Sequence, residues 1–189
     1  MTRHAARLLP LALALLLPTA ARAQAPSGAR GAKAPAKEAA PPRRATSAHV
    51  EAGGERAAGE YLTTVGGCND CHTPNWSQSN GRTPPSERFT GSNVGYRGPW
   101  GVTYPANLRL MTQRESENEW VRVLTTADGG DGRPPMPWMN TAQMSDRDLR
   151  AMYRYIKSLG ARGERAPKAV APDSEPRGSY INFVPVAHR

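Results

Sequence analysis

A chain of 189 residues with 18 glycines, 18 prolines and only two phenylalanines has room for one modest module but little side-chain material for a large apolar core. Its formal charge of +9 excludes an acidic protein, and its only two cysteines, Cys68 and Cys71, exclude a disulfide framework. No segment approaches the roughly 20 consecutive apolar residues of a membrane helix, so no integral span is expected in the mature chain.

The first element reads as an export signal. Arg3 and Arg7 precede an apolar run from Leu8 to Leu17, and Ala21-Arg22-Ala23 supplies a small-x-small cleavage site. Residues 1–23 are therefore expected to be a signal peptide cleaved near Ala23, which places the mature protein in the periplasm. The remainder stays basic, a charge that either solvates the extensions or steers the chain toward acidic partners. Nucleic acid is not expected as a partner outside the cytoplasm. Residues 24–48 consist mainly of Ala, Pro, Gly, Lys and Arg, a composition too poor in apolar mass to order itself, and read as a disordered basic linker.

Residues 49–160 are expected to form the folded domain, with three helices. The first, over 51–65, puts Tyr61, Leu62 and Val65 on one face and stops at Gly66-Gly67. The second opens with Thr112 and Glu115 at capping-box spacing, carries Trp120, Val123 and Leu124 as its apolar stripe, and ends before Gly129-Gly130. Ser145 and Asp148 cap the third, in which Leu149, Met152, Tyr153 and Ile156 recur at helical spacing before Gly160. Alternating apolar residues are absent, so an all-α fold with little or no sheet is expected. Residues 161–189 form a Pro-rich C-terminal extension, whose apolar end, with Tyr180, Ile181, Phe183, Val184 and Val186, reads as an extended strap.

Between the first two helices lies Cys68-Asn69-Asp70-Cys71-His72, the C-x-x-C-H pattern of covalent haem attachment. Two thiols three residues apart can add to the two vinyl groups on one porphyrin edge, and the adjacent imidazole can then reach the iron. A thioredoxin-like thiol pair would use the same cysteines, but it expects a βαβ context that this sequence lacks. Half a zinc site would need a second ligand pair, and His4, His49 and His188 stand isolated.

A methionine opposite His72 would favour reduced iron and suit an electron carrier. Met136 is the first candidate because Pro134-Pro135-Met136-Pro137-Trp138 keeps it out of a helix on a stiff loop. Met139 is its rival. Met111, Met144 and Met152 read as packing residues. A bis-histidine site using His49 or His188, and an open sixth position in a haem enzyme or gas sensor, are the remaining alternatives.

Taken together, the N-terminal helix, C-x-x-C-H, the Met136-Pro137 loop and the C-terminal helix resemble the class I monohaem cytochromes c over residues 51–160. The stretches Gly66-Gly67-Cys68-Asn69-Asp70-Cys71-His72-Thr73-Pro74 and Asp131-Gly132-Arg133-Pro134-Pro135-Met136-Pro137-Trp138 resemble, more narrowly, cytochrome c subunits or partners of periplasmic dehydrogenases. The resemblance implies a helical fold wrapped around one haem c attached through Cys68 and Cys71, with His72 and Met136 as axial ligands. It implies that Gly59 and Tyr61 pack against Tyr153 and its neighbours where the first and last helices cross. A backbone carbonyl should hold the proximal histidine, with Pro84 or Pro85 as its expected carrier. Trp100, Tyr104 and Asn107 are expected to line the haem or bond its propionates. The implied role is a non-enzymatic relay, taking electrons from a donor such as a dehydrogenase and passing them to an acceptor such as an oxidase.

Overall fold

A computed structural model of the chain describes residues 48–126 and 132–183. The expected signal peptide, nearly all of the basic linker, Gly129-Gly130, Val184, Val186 and His188 lie outside the described residues. Among those described, the fold is predominantly helical with a small three-stranded sheet. No described helix is long and apolar enough to cross a membrane.

Helix α1 spans Glu55–Val65 and starts four residues later than its sequence suggests, because Gly54 at φ 122° keeps the preceding backbone out of helical geometry. It ends as expected at the paired glycines. Gly66 N–H bonds the Leu62 carbonyl at 2.9 Å, and Gly67, at φ 70°, turns the chain directly into α2, Cys68–His72.

The buried face of α1 differs from the expected one: it is formed by Ala58, Gly59, Leu62 and Thr63, while Tyr61 is 54% and Val65 60% exposed. Small residues decide this face. A methyl group built on Gly59 would collide with the Ala151 carbonyl oxygen and lie 2.6 Å from Tyr155 Cβ, so only glycine lets α1 settle this closely on α6, Asp146–Ser158. The helix crossing expected from the family resemblance is therefore present at Gly59. Its partners are Ala151 and Tyr155, whereas Tyr61 is largely exposed.

Helix α6 follows its sequence pattern. The Ser145 hydroxyl accepts the Asp148 N–H at 3.2 Å, and Leu149, Met152, Tyr153 and Ile156 are all buried. Buried Arg109 closes its far end by donating to the carbonyls of the C-cap residue Leu159 and of Gly160 just beyond it.

The expected second helix is two. Helix α3 spans Leu108–Arg114, with Asn107 Oδ1 accepting the Leu110 N–H at 3.0 Å; α4 spans Glu117–Thr126, with the Ser116 hydroxyl accepting the Glu119 N–H at 3.1 Å. Thr112 is consequently no cap but a buried residue inside α3, its hydroxyl turned onto the Arg109 carbonyl. Between the helices, the Tyr153 hydroxyl donates to the Glu115 carbonyl at 2.8 Å, satisfying backbone left open by the break. Trp120 on α4 is buried and its indole N–H reaches the Leu149 carbonyl at 2.9 Å, which fixes α4 against α6.

The sheet is small, in keeping with the expectation of little or no sheet but more than a strictly all-α fold would hold. Strands β1, Gly95–Gly98, and β2, Gly101–Thr103, form an antiparallel hairpin, and β3, Tyr180–Asn182, joins β1 in parallel on its other edge. These strands are three or four residues long, and β1 and β2 contain glycine; they are too short to display an alternating pattern. Their stability comes from the pairing itself. The C-terminal strap is thus present over Tyr180–Asn182, as the edge of this sheet.

Candidate cofactor site

Helix α2 presents Cys68, Cys71 and His72 at i, i+3 and i+4, so all three side chains share one side of a single turn. Asn69 faces the other way and is wholly buried. Its Nδ2 points to the Thr63 carbonyl at 3.4 Å, and its Oδ1 accepts the Thr73 hydroxyl at 2.8 Å; that hydroxyl in turn accepts the Phe89 N–H at 3.0 Å. This chain of buried polar contacts anchors the short helix at both ends, which its own backbone bonds could not do.

The same network brings the partner of His72 into place. The Phe89 carbonyl accepts the Leu108 N–H at 3.0 Å, and Gly91 N–H donates to the His72 carbonyl at 2.9 Å. Gly91, at φ 79°, has the Asn107 nitrogen only 2.8 Å from where a Cβ would stand, so the 105–107 segment passes close beside His72. There, His72 Nδ1 donates to the Ala106 carbonyl at 2.8 Å. A carbonyl can only accept, so the proton sits on Nδ1 and the Nε2 lone pair is left for coordination. Pro84 and Pro85 do not fill this role. Their carbonyls accept Glu87 and Arg88 N–H groups in the 3-10 turn Pro85–Glu87.

Cys68, Cys71 and His72 line one cavity of about 350 Å³ together with Met136, a volume within the ~300–1,000 Å³ usual for small-molecule and cofactor sites. Its walls are largely apolar: Leu108 and Met111 from α3, Trp120, Val123 and Leu124 from α4, and Met152 from α6. Burial pushes the Cys68 thiol up to about 11. It also pulls the His72 imidazole below its ordinary value, which favours the neutral, ligating form, an effect the Ala106 hydrogen bond partly opposes. Neither cysteine is in a disulfide.

Met136 enters the cavity from the loop before α5, Trp138–Thr141, and packs against the core. Three hydrogen bonds hold that loop. Thr103 donates its hydroxyl to the Pro134 carbonyl at 2.8 Å, Trp138 Nε1 donates to the Arg133 carbonyl at 3.2 Å, and Thr141 donates its hydroxyl to Leu124 at 2.7 Å. Met139, three residues on, is 74% exposed and is not among the lining residues.

The other candidates divide. Tyr104 lines the cavity, whereas Trp100 stacks on Phe183 with ring centroids 6.4 Å apart and donates its indole N–H to the Tyr96 carbonyl. Asn107 is occupied as the α3 cap and as a donor to the Arg162 and Glu164 carbonyls. His49 stands beside Arg147 and Glu51, away from the lining. Tyr96 was missed by the sequence. It lines the cavity from β1, and burial, followed by the neighbouring Cys71 thiol, drives its hydroxyl well above the usual tyrosine value. Arg133, Trp138 and the Ala106 carbonyl were likewise unmarked, while Met111, expected as a packing residue, packs against the core and also lines the cavity. Only the closeness of Arg133 and Trp138 to Met136 in sequence offered a signal.

Among the described residues, no group of three or more His, Cys, Asp or Glu side chains is arranged to hold a metal ion. The donor set of the cavity is instead two thiols, one imidazole with a free Nε2, and a thioether in apolar surroundings. That set fits a covalently tethered porphyrin iron. Comparison with protein-family models, curated proteins and solved structures finds no match.

Proposed function

We propose that the chain is a periplasmic single-electron carrier with a class I cytochrome c-like fold, holding one haem c through Cys68 and Cys71 with His72 and Met136 as its axial ligands. The observation that carries this reading is the convergence of those four side chains on one apolar cavity, with His72 already oriented by Ala106. When bound, the haem supplies reversible one-electron oxidation and reduction. Cys68 and Cys71 tether it as thioethers. The Ala106 carbonyl fixes the imidazole plane and raises its basicity. Met136, a soft neutral donor, favours the reduced state and raises the potential. Were His72 and Met136 both to hold the iron, no position on it would be open to a substrate, and the chain would relay electrons rather than catalyse a reaction.

Electrons would come from a donor such as a periplasmic dehydrogenase and pass to an acceptor such as an oxidase, through brief contacts of small area. The excess of basic residues in the chain supports salt-sensitive steering toward acidic partners. The test is expression of the whole chain with cytochrome maturation machinery, followed by haem staining of a denaturing gel, an optical spectrum and a redox titration. Stain that stays with the polypeptide and a low-spin His/Met spectrum are expected. A colourless product whose two thiols alkylate freely overturns the proposal, and rapid cyanide or carbon monoxide binding redirects it to a haem enzyme or sensor with a dissociable sixth ligand.

A further inference from the structure

Resting on that cofactor reading, we propose that the C-terminal extension is a wall of the cofactor cavity, fastened there to exclude water and so to raise the potential of the bound iron. Pro167 and Ala169 line the cavity, although they follow the last core helix and lie outside the expected domain. They are fastened on both sides. Upstream, Asn107 Nδ2 donates to the Arg162 and Glu164 carbonyls at 2.7 and 3.0 Å, one residue from the carbonyl that holds His72. Downstream, Val170 and Val102 exchange both backbone hydrogen bonds, at 2.9 and 2.8 Å. Gly101 makes this approach possible, since a side chain there would collide with the Val170 carbonyl oxygen.

Two further attachments hold the segment to β1. Arg97 forks onto both Glu175 carboxylate oxygens at 3.0 Å each, and also donates to the Tyr180 hydroxyl. Phe183 N–H then bonds the Arg97 carbonyl at 2.8 Å, and its ring packs on Tyr96 with centroids 5.7 Å apart. Tyr96 is itself a lining residue, so the strap braces the cavity wall from behind as well as forming part of it. Pro167 and Ala169 are themselves exposed, but they touch the cavity on a stretch held by polar fastenings on either side. Excluding water lowers the local dielectric, which disfavours the more highly charged oxidised iron.

The experiment uses the full-length holoprotein and the variants Glu175→Arg, Arg97→Glu, the double swap, and the uncharged Phe183→Ala. Amide hydrogen exchange at Val170 and the midpoint potential are measured in each. Loss of the exposed fork should speed Val170 exchange about two- to fivefold, the range such a pair allows. The two charge reversals discriminate, because a direct Coulomb effect would raise the potential in Glu175→Arg and lower it in Arg97→Glu, whereas admitted water lowers it in both. Expected are a lower potential in all three single variants and recovery of both readouts in the swap. Unchanged Val170 exchange in every variant overturns the inference. So does faster exchange with a potential that is unmoved or follows only the sign of the charge. Absence of stainable covalent haem in the unmodified protein is a separate result, which overturns the cofactor reading and this inference with it.

Discussion

His72 Nδ1 lies 2.8 Å from the backbone oxygen of Ala106, 34 residues further along the chain. The contact is built by the backbone path through Phe89 and Gly91, so it has no side chain to delete and must be tested through its supports. Gly91→Ala places a methyl group against the Asn107 nitrogen at a left-handed φ of 79°. We expect the holoprotein to lose about 1–3 kcal/mol of stability in denaturant unfolding, the usual cost of a non-glycine residue forced into such a conformation.

For the sixth ligand, Met136→Ala should abolish the weak far-red sulfur-to-ferric-iron absorption and lower the potential. Met139→Ala should leave both in place, since Met139 is 74% exposed. Optical spectra of the two oxidised variants decide the matter, and the reverse pattern would assign the ligand to Met139.

Gly59→Ala tests the helix crossing by the sign of its effect. In an exposed helix the substitution would stabilise by about 0.5–1 kcal/mol through helix propensity. Against the Ala151 carbonyl and Tyr155 Cβ it overpacks the interface, and overpacking of this kind costs typically ~1–3 kcal/mol. A lowered melting temperature is therefore expected; an unchanged or raised one would mean that α1 and α6 do not approach this closely.

Asn69→Ala removes the acceptor of the Thr73 hydroxyl and leaves a buried cavity under α2. The expected loss is about 1–3 kcal/mol, the cost of stranding buried polar partners. It is read by chemical denaturation, together with a lower yield of covalently attached haem in maturation, because α2 would no longer hold its two thiols in fixed register. Equal stability and yield would show that α2 needs no anchoring from beneath.

Local patterns were legible wherever their causes lie within a few residues. Ser145 and Asp148 cap α6 through one hydroxyl-to-amide bond, and Leu149, Met152, Tyr153 and Ile156 share a face because of helical pitch alone. The same holds for the stop at Gly66-Gly67. By contrast, the buried face of α1 was misread because Tyr61 and Val65 outweigh Ala58 and Gly59 in hydrophobicity, while the crossing with α6 selects for small size. The single expected helix became α3 and α4 because Tyr153, from a distant helix, satisfies the Glu115 carbonyl at the break. The small sheet left no alternating pattern because its strands are only three or four residues long and are joined by pairings between distant stretches.

What the sequence by itself determined was which side chains can meet: two thiols and an imidazole three and four positions apart share one side of any helical turn, and a methionine among prolines is kept on a loop. Only the tertiary structure decided what surrounds those donors. The Ala106 carbonyl, the Tyr96 hydroxyl and the wall made by Pro167 and Ala169 reach the cavity from separate stretches of chain. Such contacts depend on the path of the backbone between them, set by buried hydrogen bonds and close glycine approaches that leave no periodic trace in the residues themselves.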